Sequence, residues 1–322
     1  MTRALVTLGE TMGLFHADQP GAAAHVDGFR FGIGGAESNV AIGVARLGGR
    51  ARWIGRVGDD GVGGRICREL RAEQVDVRAV VDADAPSGIM VKTRRGGRVI
   101  VDYHRTGSAG SRLTAADLAD ESLWTDVGVL HVTGITPALS EAAHEAVFAA
   151  VEIARARGAR ISFDVNHRSS LWGTTHAGRA RAAASYRELL SVSHLVFAGE
   201  DEARLLATGA APDASAADLA RALGESGADV VVKRGERGAF ARIDGREYDL
   251  PAVPIAPIDT VGAGDAFVAG YLADTLSGAD APQSLRTALR AGAFACLHPG
   301  DWEGLPHRSD LDLLEATDPV VR

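Results

Sequence analysis

Asp265 stands directly behind three small residues, Gly262, Ala263 and Gly264, in the stretch "IDTVGAGDAFVAGYL" from Ile258 to Leu272. Phe267, Val268, Tyr271, Leu272 and Leu276 follow at helical spacing, with pairs four apart on one face. A helix therefore begins near Gly264 or Asp265. Its first N–H groups lack intrahelical partners and carry the positive end of the helix dipole. Small residues leave those groups open, and glycine can aim successive N–H groups at one point. Such a turn cradles an anion such as phosphate. The acid has two readings. It caps the helix and complements its dipole, or it is a general base beside a phosphate held by the same helix end.

Other segments carry polar groups in site-like places. "DVNHRSSLW" sets Asp164, Asn166 and Arg168 where the strand "ARISF" ends. Arg168 can grip a carboxylate or phosphate with two prongs; the alternative is a solvated loop with an internal Asp–Arg pair. His167 has no partner at metal or triad spacing. "GIMVKTRRGGRVIVDYHR" reads as two alternating strands around Gly96-Gly97, a two-residue hairpin signal. With Arg95 opposite Arg98, Met90 lies opposite Tyr103 and Gly88 opposite Arg105. Met90, Val101, Tyr103 and Arg105 then share one face. That face either meets water or belongs to a lid that turns an aromatic and a cation toward an anionic ligand. "GIGGAESNVAIGVARLGG" reads as a Gly34-Gly35 turn and a helix capped by Ser38, with Val40, Val44 and Leu47 on its apolar face. It is a plain turn, or a notch where Gly34 admits a ligand to the backbone and Asn39 offers an amide. The third glycine of a dinucleotide fingerprint is out of register. "KRGERGAF", with Lys233, Gly235 and Gly238, forms a further turn after a strand.

The elements that must hold these residues alternate. "ALVTLGE", "ARWIGRVG", "VGVLHVTG", "ARISFDVN", "HLVFAG" and "DVVVKRG" read as strands, several apolar throughout, as in strands buried on both faces. Helical segments such as "SEAAHEAVFAAVEIARARG" and "SAADLARALGESG" lie between them. The pattern predicts an α/β fold with a mainly parallel sheet flanked by helices, and ligands at the carboxyl ends of its strands. "FRFGI" and the hairpin break the pattern, and such strands suit a small sheet beside the α/β core. No linker divides residues 1–322, so one domain is expected, with lid strands from about 12–33 and 87–106 inserted in it. Exposed lid strands suit pairing with a second copy, which suggests a homodimer or higher homo-oligomer.

Composition removes several function classes. The chain has 322 residues, 46% of them hydrophobic, and a net charge of −8. No basic block or basic–aromatic interleaving suits nucleic acid. No apolar run reaches membrane-spanning length, and "MTRALVTLGE" reads as a strand rather than a signal peptide. Cys67 and Cys296, the two cysteines, lack metal-ligand spacing and form no disulfide framework, which fits the reducing cytoplasm. Lys92 and Lys233 are the only lysines, and neither closes a GxxxxGK[ST] loop, so a P-loop is excluded.

Taken in order, these motifs resemble the ribokinase-like carbohydrate kinases, the phosphofructokinase-B family. "GGAESNVAIGVARLG" resembles its first signature and "DTVGAGDAFVAGYL" its second. The resemblance runs from "TLGET" to "EGLP". "GGAESN", "YHRTGSAGS", "DVNHRSSLW" and "GDWEGLP" are most similar to 2-keto-3-deoxygluconate kinases. It implies transfer of the γ-phosphoryl group of ATP, with Mg²⁺, to a sugar hydroxyl. Asp265 matches the catalytic base, and Gly262, Ala263 and Gly264 match the anion hole. Gly34, Asn39, Met90, Tyr103, Arg105 and Arg168 match the sugar-acid side. Lys233, Gly235, Gly238 and Gly264 match the nucleotide side. Asp259 matches the start of a loop that often accompanies a monovalent cation such as K⁺. Glu202 matches the acid of the family's metal-organising NxxE motif, but Gly199 stands where asparagine is usual. Met90 stands where these kinases often have tyrosine. Other acceptors that the resemblance allows are fructose, ribose, a nucleoside and 2-keto-3-deoxygalactonate; a non-catalytic sugar or nucleotide sensor is the rival outside enzymes.

Overall fold

A computed structural model describes residues 3–207 and 209–315. Thirteen strands fall into two sheets among these residues. The strands are β1 (Ala4–Leu8), β2 (Met12–Ala17), β3 (Phe29–Gly34), β4 (Arg50–Gly58), β5 (Asp76–Asp82), β6 (Ile89–Arg95) and β7 (Arg98–His104), followed by β8 (Val127–Thr133), β9 (Arg160–Asp164), β10 (Leu195–Gly199), β11 (Asp229–Lys233), β12 (Ala239–Ile243) and β13 (Arg246–Leu250). The large sheet runs β13-β12-β11-β10-β9-β8-β1-β4-β5. Its seven strands from β11 to β5 are parallel, and β12 and β13 add an antiparallel edge.

The helices are α1 (Ala36–Arg46), α2 (Gly61–Ala72), α3 (Glu141–Ala156), α4 (Ser169–Trp172), α5 (His176–Val192), α6 (Glu200–Leu206), α7 (Ala216–Gly224), α8 (Ala263–Ser277) and α9 (Ala281–Ala295). They cover both faces of the sheet. Successive strand residues point opposite ways, so Val6 and Leu130 pack with α3, α5 and α7, while Leu5 and Val129 pack with α1, α2, α8 and α9. That double burial is why β1 and β8 are mostly apolar and buried along their whole length. Parallel pairing also brings Asp164, Gly199 and Lys233 to one rim, at the carboxyl ends of β9, β10 and β11.

The small sheet runs β3-β2-β6-β7. Its β6–β7 hairpin pairs Arg95 with Arg98 and Met90 with Tyr103, the register that Gly96-Gly97 dictates. β2 lies parallel to β6, with His16 beside Lys92.

Two local expectations change. α1 begins at Ala36, capped at Gly35, and Ser38 lies inside the first turn, where its hydroxyl donates to the Gly35 carbonyl at 3.0 Å. Gly35 already has the extended backbone that a capping position needs, so the helix starts earlier. α8 carries no single apolar face: Asp265 through Asp274 are all buried, because α1 and α9 enclose it. Among the described residues no helix is long and apolar enough to cross a membrane.

Candidate active site

The turn before α8 is built around Gly262. Its φ is +77°, and a Cβ there would lie 2.0 Å from the Asp301 carbonyl oxygen. Only glycine meets both demands. The Ala266 N–H takes up the Gly262 carbonyl at 2.9 Å, which starts the helix and leaves the first-turn N–H groups facing outward.

Asp265 is buried in that first turn. The Asn39 amide, from α1, donates to Oδ2 at 2.8 Å, and the Asn166 amide, after β9, approaches Oδ1 at 3.5 Å. Burial raises the Asp265 pKa to about 7; the Asn39 hydrogen bond and the Arg168 charge oppose that rise without cancelling it. A carboxylate poised near neutrality is what proton abstraction at physiological pH requires.

Asn39, Met90, Tyr103, Arg105, Arg168, Gly262 and Asp265 line one cleft between the small sheet and the rim, of about 100 Å³. Gly34 sits at its side; a Cβ there would press within 2.5 Å of Met90 Cε and 2.7 Å of Asp301 Oδ2. The two arginines differ. Arg105 is paired with buried Glu10, Nε at 2.7 Å and Nη2 at 2.5 Å, and Ser108 also donates to Glu10. Arg105 lies 5.9 Å above the Tyr103 ring. Arg168 has no ion pair among the described residues, and its Nη1 donates to the neighbouring His167 carbonyl at 3.4 Å. The internal Asp164–Arg168 pair does not form.

Asp164 turns instead to Lys233, whose Nζ donates to both oxygens at 2.8 Å. Burial works against the Lys233 ammonium, but Asp164, Glu202 and Asp265 outweigh it and raise its pKa. Lys233 Nζ is 3.7 Å from the Cβ position of Gly264, so it stands beside the start of α8. Glu202 accepts the N–H groups of Gly199 and His167, each at 2.7 Å. Gly235 and Gly238 bracket the turn between β11 and β12, two strands from β9. Neither these glycines nor Glu202 and Lys233 line the Asp265 cleft; they form its neighbour along the rim.

Asp259 is engaged by protein cations. Lys92 Nζ lies 3.2 Å and Arg94 Nη2 3.1 Å from its Oδ2, and its Oδ1 accepts the Val261 N–H at 3.2 Å. Lys92 also lies 3.1 Å from Asp301 Oδ1. No group of three or more His, Cys, Asp or Glu side chains suited to a metal ion occurs among the described residues. Both Asp259 oxygens thus already accept from protein donors.

Sequence reasoning missed Glu10, Lys92 and Asp301. One signal was available for Lys92: in a chain whose other basic residues are almost all arginine, it falls on the strand face shared by Met90 and Tyr103.

Residues 2–308 match the pfkB family carbohydrate kinases. A 2-dehydro-3-deoxygluconokinase of Bacillus subtilis (strain 168) is 36% identical over 310 residues, 95% of this chain and 93% of that protein. A 2-dehydro-3-deoxygalactonokinase of Haloferax volcanii is 33% identical, over 91% of this chain and 89% of its own. A crystal structure of a putative ribokinase II from E. coli in complex with ATP and Mg²⁺ superposes with a TM-score of 0.87 at 26% identity, covering 97% of this chain and 99% of that one. By its motifs, its two-sheet fold and these matches, the chain belongs to the pfkB family of carbohydrate kinases.

Proposed function

We propose that this kinase transfers the γ-phosphoryl group of ATP to a 2-keto-3-deoxy sugar acid, 2-keto-3-deoxygluconate, giving its 6-phosphate. The observation that carries this reading is the pairing, in one cleft, of a buried carboxylate with pKa about 7 and an arginine with no ion pair among the described residues. A neutral hexose gives Arg168 nothing to hold; the carboxylate of a sugar acid does. Fructose, ribose and nucleosides lack that group. 2-Keto-3-deoxygalactonate has it, and only the hydroxyl geometry distinguishes it from the gluconate.

Asp265 takes the proton of the attacking hydroxyl. The N–H groups of the Gly262–Gly264 turn face the charge that develops on the transferred group, and Lys233 stands beside them. Positioning and electrostatics therefore supply the rate enhancement. Mg²⁺ binds through one or two carboxylates together with phosphate oxygens and water. Glu202 and Asp164 are hard oxygen donors on the rim beside Lys233, and each would take that role by giving up a protein donor it now accepts from. Bound there, the ion would neutralise phosphate charge. Gly199 leaves room next to Glu202: a Cβ would lie 3.4 Å from Oε2, an ordinary contact.

A cleft of about 100 Å³ is smaller than the several hundred that ligand sites usually offer. The small sheet therefore acts as a lid that swings away to admit substrate and closes to exclude water. Its outer strand β7 is exposed along most of its length, and we infer that β7 is also where a second copy pairs, giving a homodimer.

The test is ADP release from Mg-ATP with 2-keto-3-deoxygluconate, its galactonate epimer, fructose, ribose and adenosine. Turnover is expected on the keto-deoxy acids. Asp265→Asn should lower kcat by on the order of 1,000-fold or more while leaving the fold intact. A neutral sugar as best acceptor would remove the acid-sugar reading, and an active Asp265→Asn would remove the base.

A further inference from the structure

Two acids brace the anion-hole turn from beneath. Asp259 holds the Val261 N–H at 3.2 Å, and the Asp301 carbonyl packs where any Cβ on Gly262 would intrude. One lysine joins them. Lys92 Nζ lies 3.2 Å from Asp259 Oδ2 and 3.1 Å from Asp301 Oδ1. Its side chain is 1% exposed and arrives from the lid strand β6. Arg94, two residues along the same face, reaches Asp259 at 3.1 Å but is 36% exposed. Among the described residues, Lys92 is the one cation within ion-pair distance of Asp301.

Two buried carboxylates repel and are costly to desolvate unless a positive charge lies between them. A bound monovalent cation meets that need with hard oxygen donors, and so does an ammonium. Here the ammonium is covalently part of the chain. Because it rides on β6, the charge reaches the turn when the lid is docked.

We propose that Lys92 is a positioning residue that supplies from within the chain the monovalent charge beneath the anion hole, so that this kinase needs no free K⁺. The proposal rests on reading Gly262–Gly264 as the anion hole. Removing the ammonium lets the Asp259 and Asp301 loops move apart and misplaces the N–H groups that face the transferred phosphoryl group. Small misplacements of this kind cost on the order of 100-fold in rate.

The first readout needs no acceptor. Thermal unfolding is followed for wild type and Lys92→Ala in KCl and in tetramethylammonium chloride of equal ionic strength. Wild type should unfold at the same temperature in both. Lys92→Ala should unfold lower in tetramethylammonium and recover several degrees in KCl or methylammonium chloride, since small cations can enter the vacated place. A wild type stabilised by K⁺ as strongly as the variant overturns the proposal, as does a variant blind to all these cations. The second readout is turnover on the best keto-deoxy acid. Wild type should keep its kcat without K⁺; Lys92→Ala should lose on the order of 100-fold in kcat with little change in acceptor KM, and K⁺ or methylammonium should restore part of it. A merely structural ion pair would not show that rescue. Should Lys92→Ala not fold, the wild-type salt comparison still decides, because strong K⁺ activation of wild type refutes the idea. Absence of turnover on every keto-deoxy acid, with the thermal pattern intact, counts against the acceptor and not against Lys92.

Discussion

With Asp265 as the proposed base, one proton links catalysis and stability. The folded Asp265 pKa of about 7 lies above the ordinary carboxylate value of 3.8. The folded state therefore keeps a proton that the unfolded chain releases between those two pH values. The Asp265 contribution to stability is full below pH 3.8 and is lost as pH rises through about 7, by on the order of 4 kcal/mol at most. Activity runs the other way, since a base must be ionised. We expect kcat/KM to rise through about pH 7, and Asp265→Asn to unfold at a higher temperature than wild type at pH 8, with the gap closing toward pH 4. Equal melting curves at pH 8 would contradict the buried, charged state. The two cleft arginines also separate at this scale. Arg168→Ala should raise KM for an acid sugar by 10-fold or more and leave KM for a neutral sugar unchanged, because a charge-assisted hydrogen bond is worth roughly 1.5–3 kcal/mol. Arg105→Ala should instead lower the melting temperature, because it strands the buried Glu10 carboxylate. Parallel KM values and melting curves distinguish the two roles.

At the level of elements, readability followed sequence distance. The hairpin register came from two adjacent glycines, and the α8 start from four consecutive residues. Six of the seven parallel strands were legible, several by continuous apolar runs. What stayed hidden depended on partners far along the chain: Lys92 meets Asp259 and Asp301 across 167 and 209 residues, and Arg105 meets Glu10 across 95. No local pattern encodes such pairs. β5, β12 and β13 escaped notice because they are edge or near-edge strands with polar residues in their runs. The α1 start was misplaced for a different reason, since a serine that suits a cap can also bond back to the backbone from inside a first turn. Gly262 carries the strongest element-level prediction. Gly262→Ala forces a side chain into positive φ and onto the Asp301 carbonyl. It should cost more than about 1 kcal/mol of stability and most of the turnover. Denaturant titration and steady-state kinetics report these independently, and an active, fully stable variant would remove the turn from the mechanism.

At the scale of the whole molecule, the body and the lid are built on different principles. The body is a nine-strand sheet whose central parallel strands are covered on both faces, whereas the lid is four strands joined by one parallel seam, β2 beside β6. Sedimentation equilibrium should show a dimer, and Ile100→Pro, which breaks the edge of β7, should give monomers. A dimer that survives Ile100→Pro places the contact elsewhere. The β2–β6 seam has a further consequence, in the order of assembly. Each half of the lid is a local hairpin that can close within microseconds. The seam cannot form until β4, α2 and β5, which lie between the halves in the chain, have settled and brought β6 alongside β2. We expect the lid to be the last cooperative unit to form and the first to come apart. Brief trypsin treatment should nick the exposed Arg95–Arg98 tip first, leaving a body whose amides in β8 still exchange slowly with deuterium, so that the enzyme loses its ability to close long before it loses its fold.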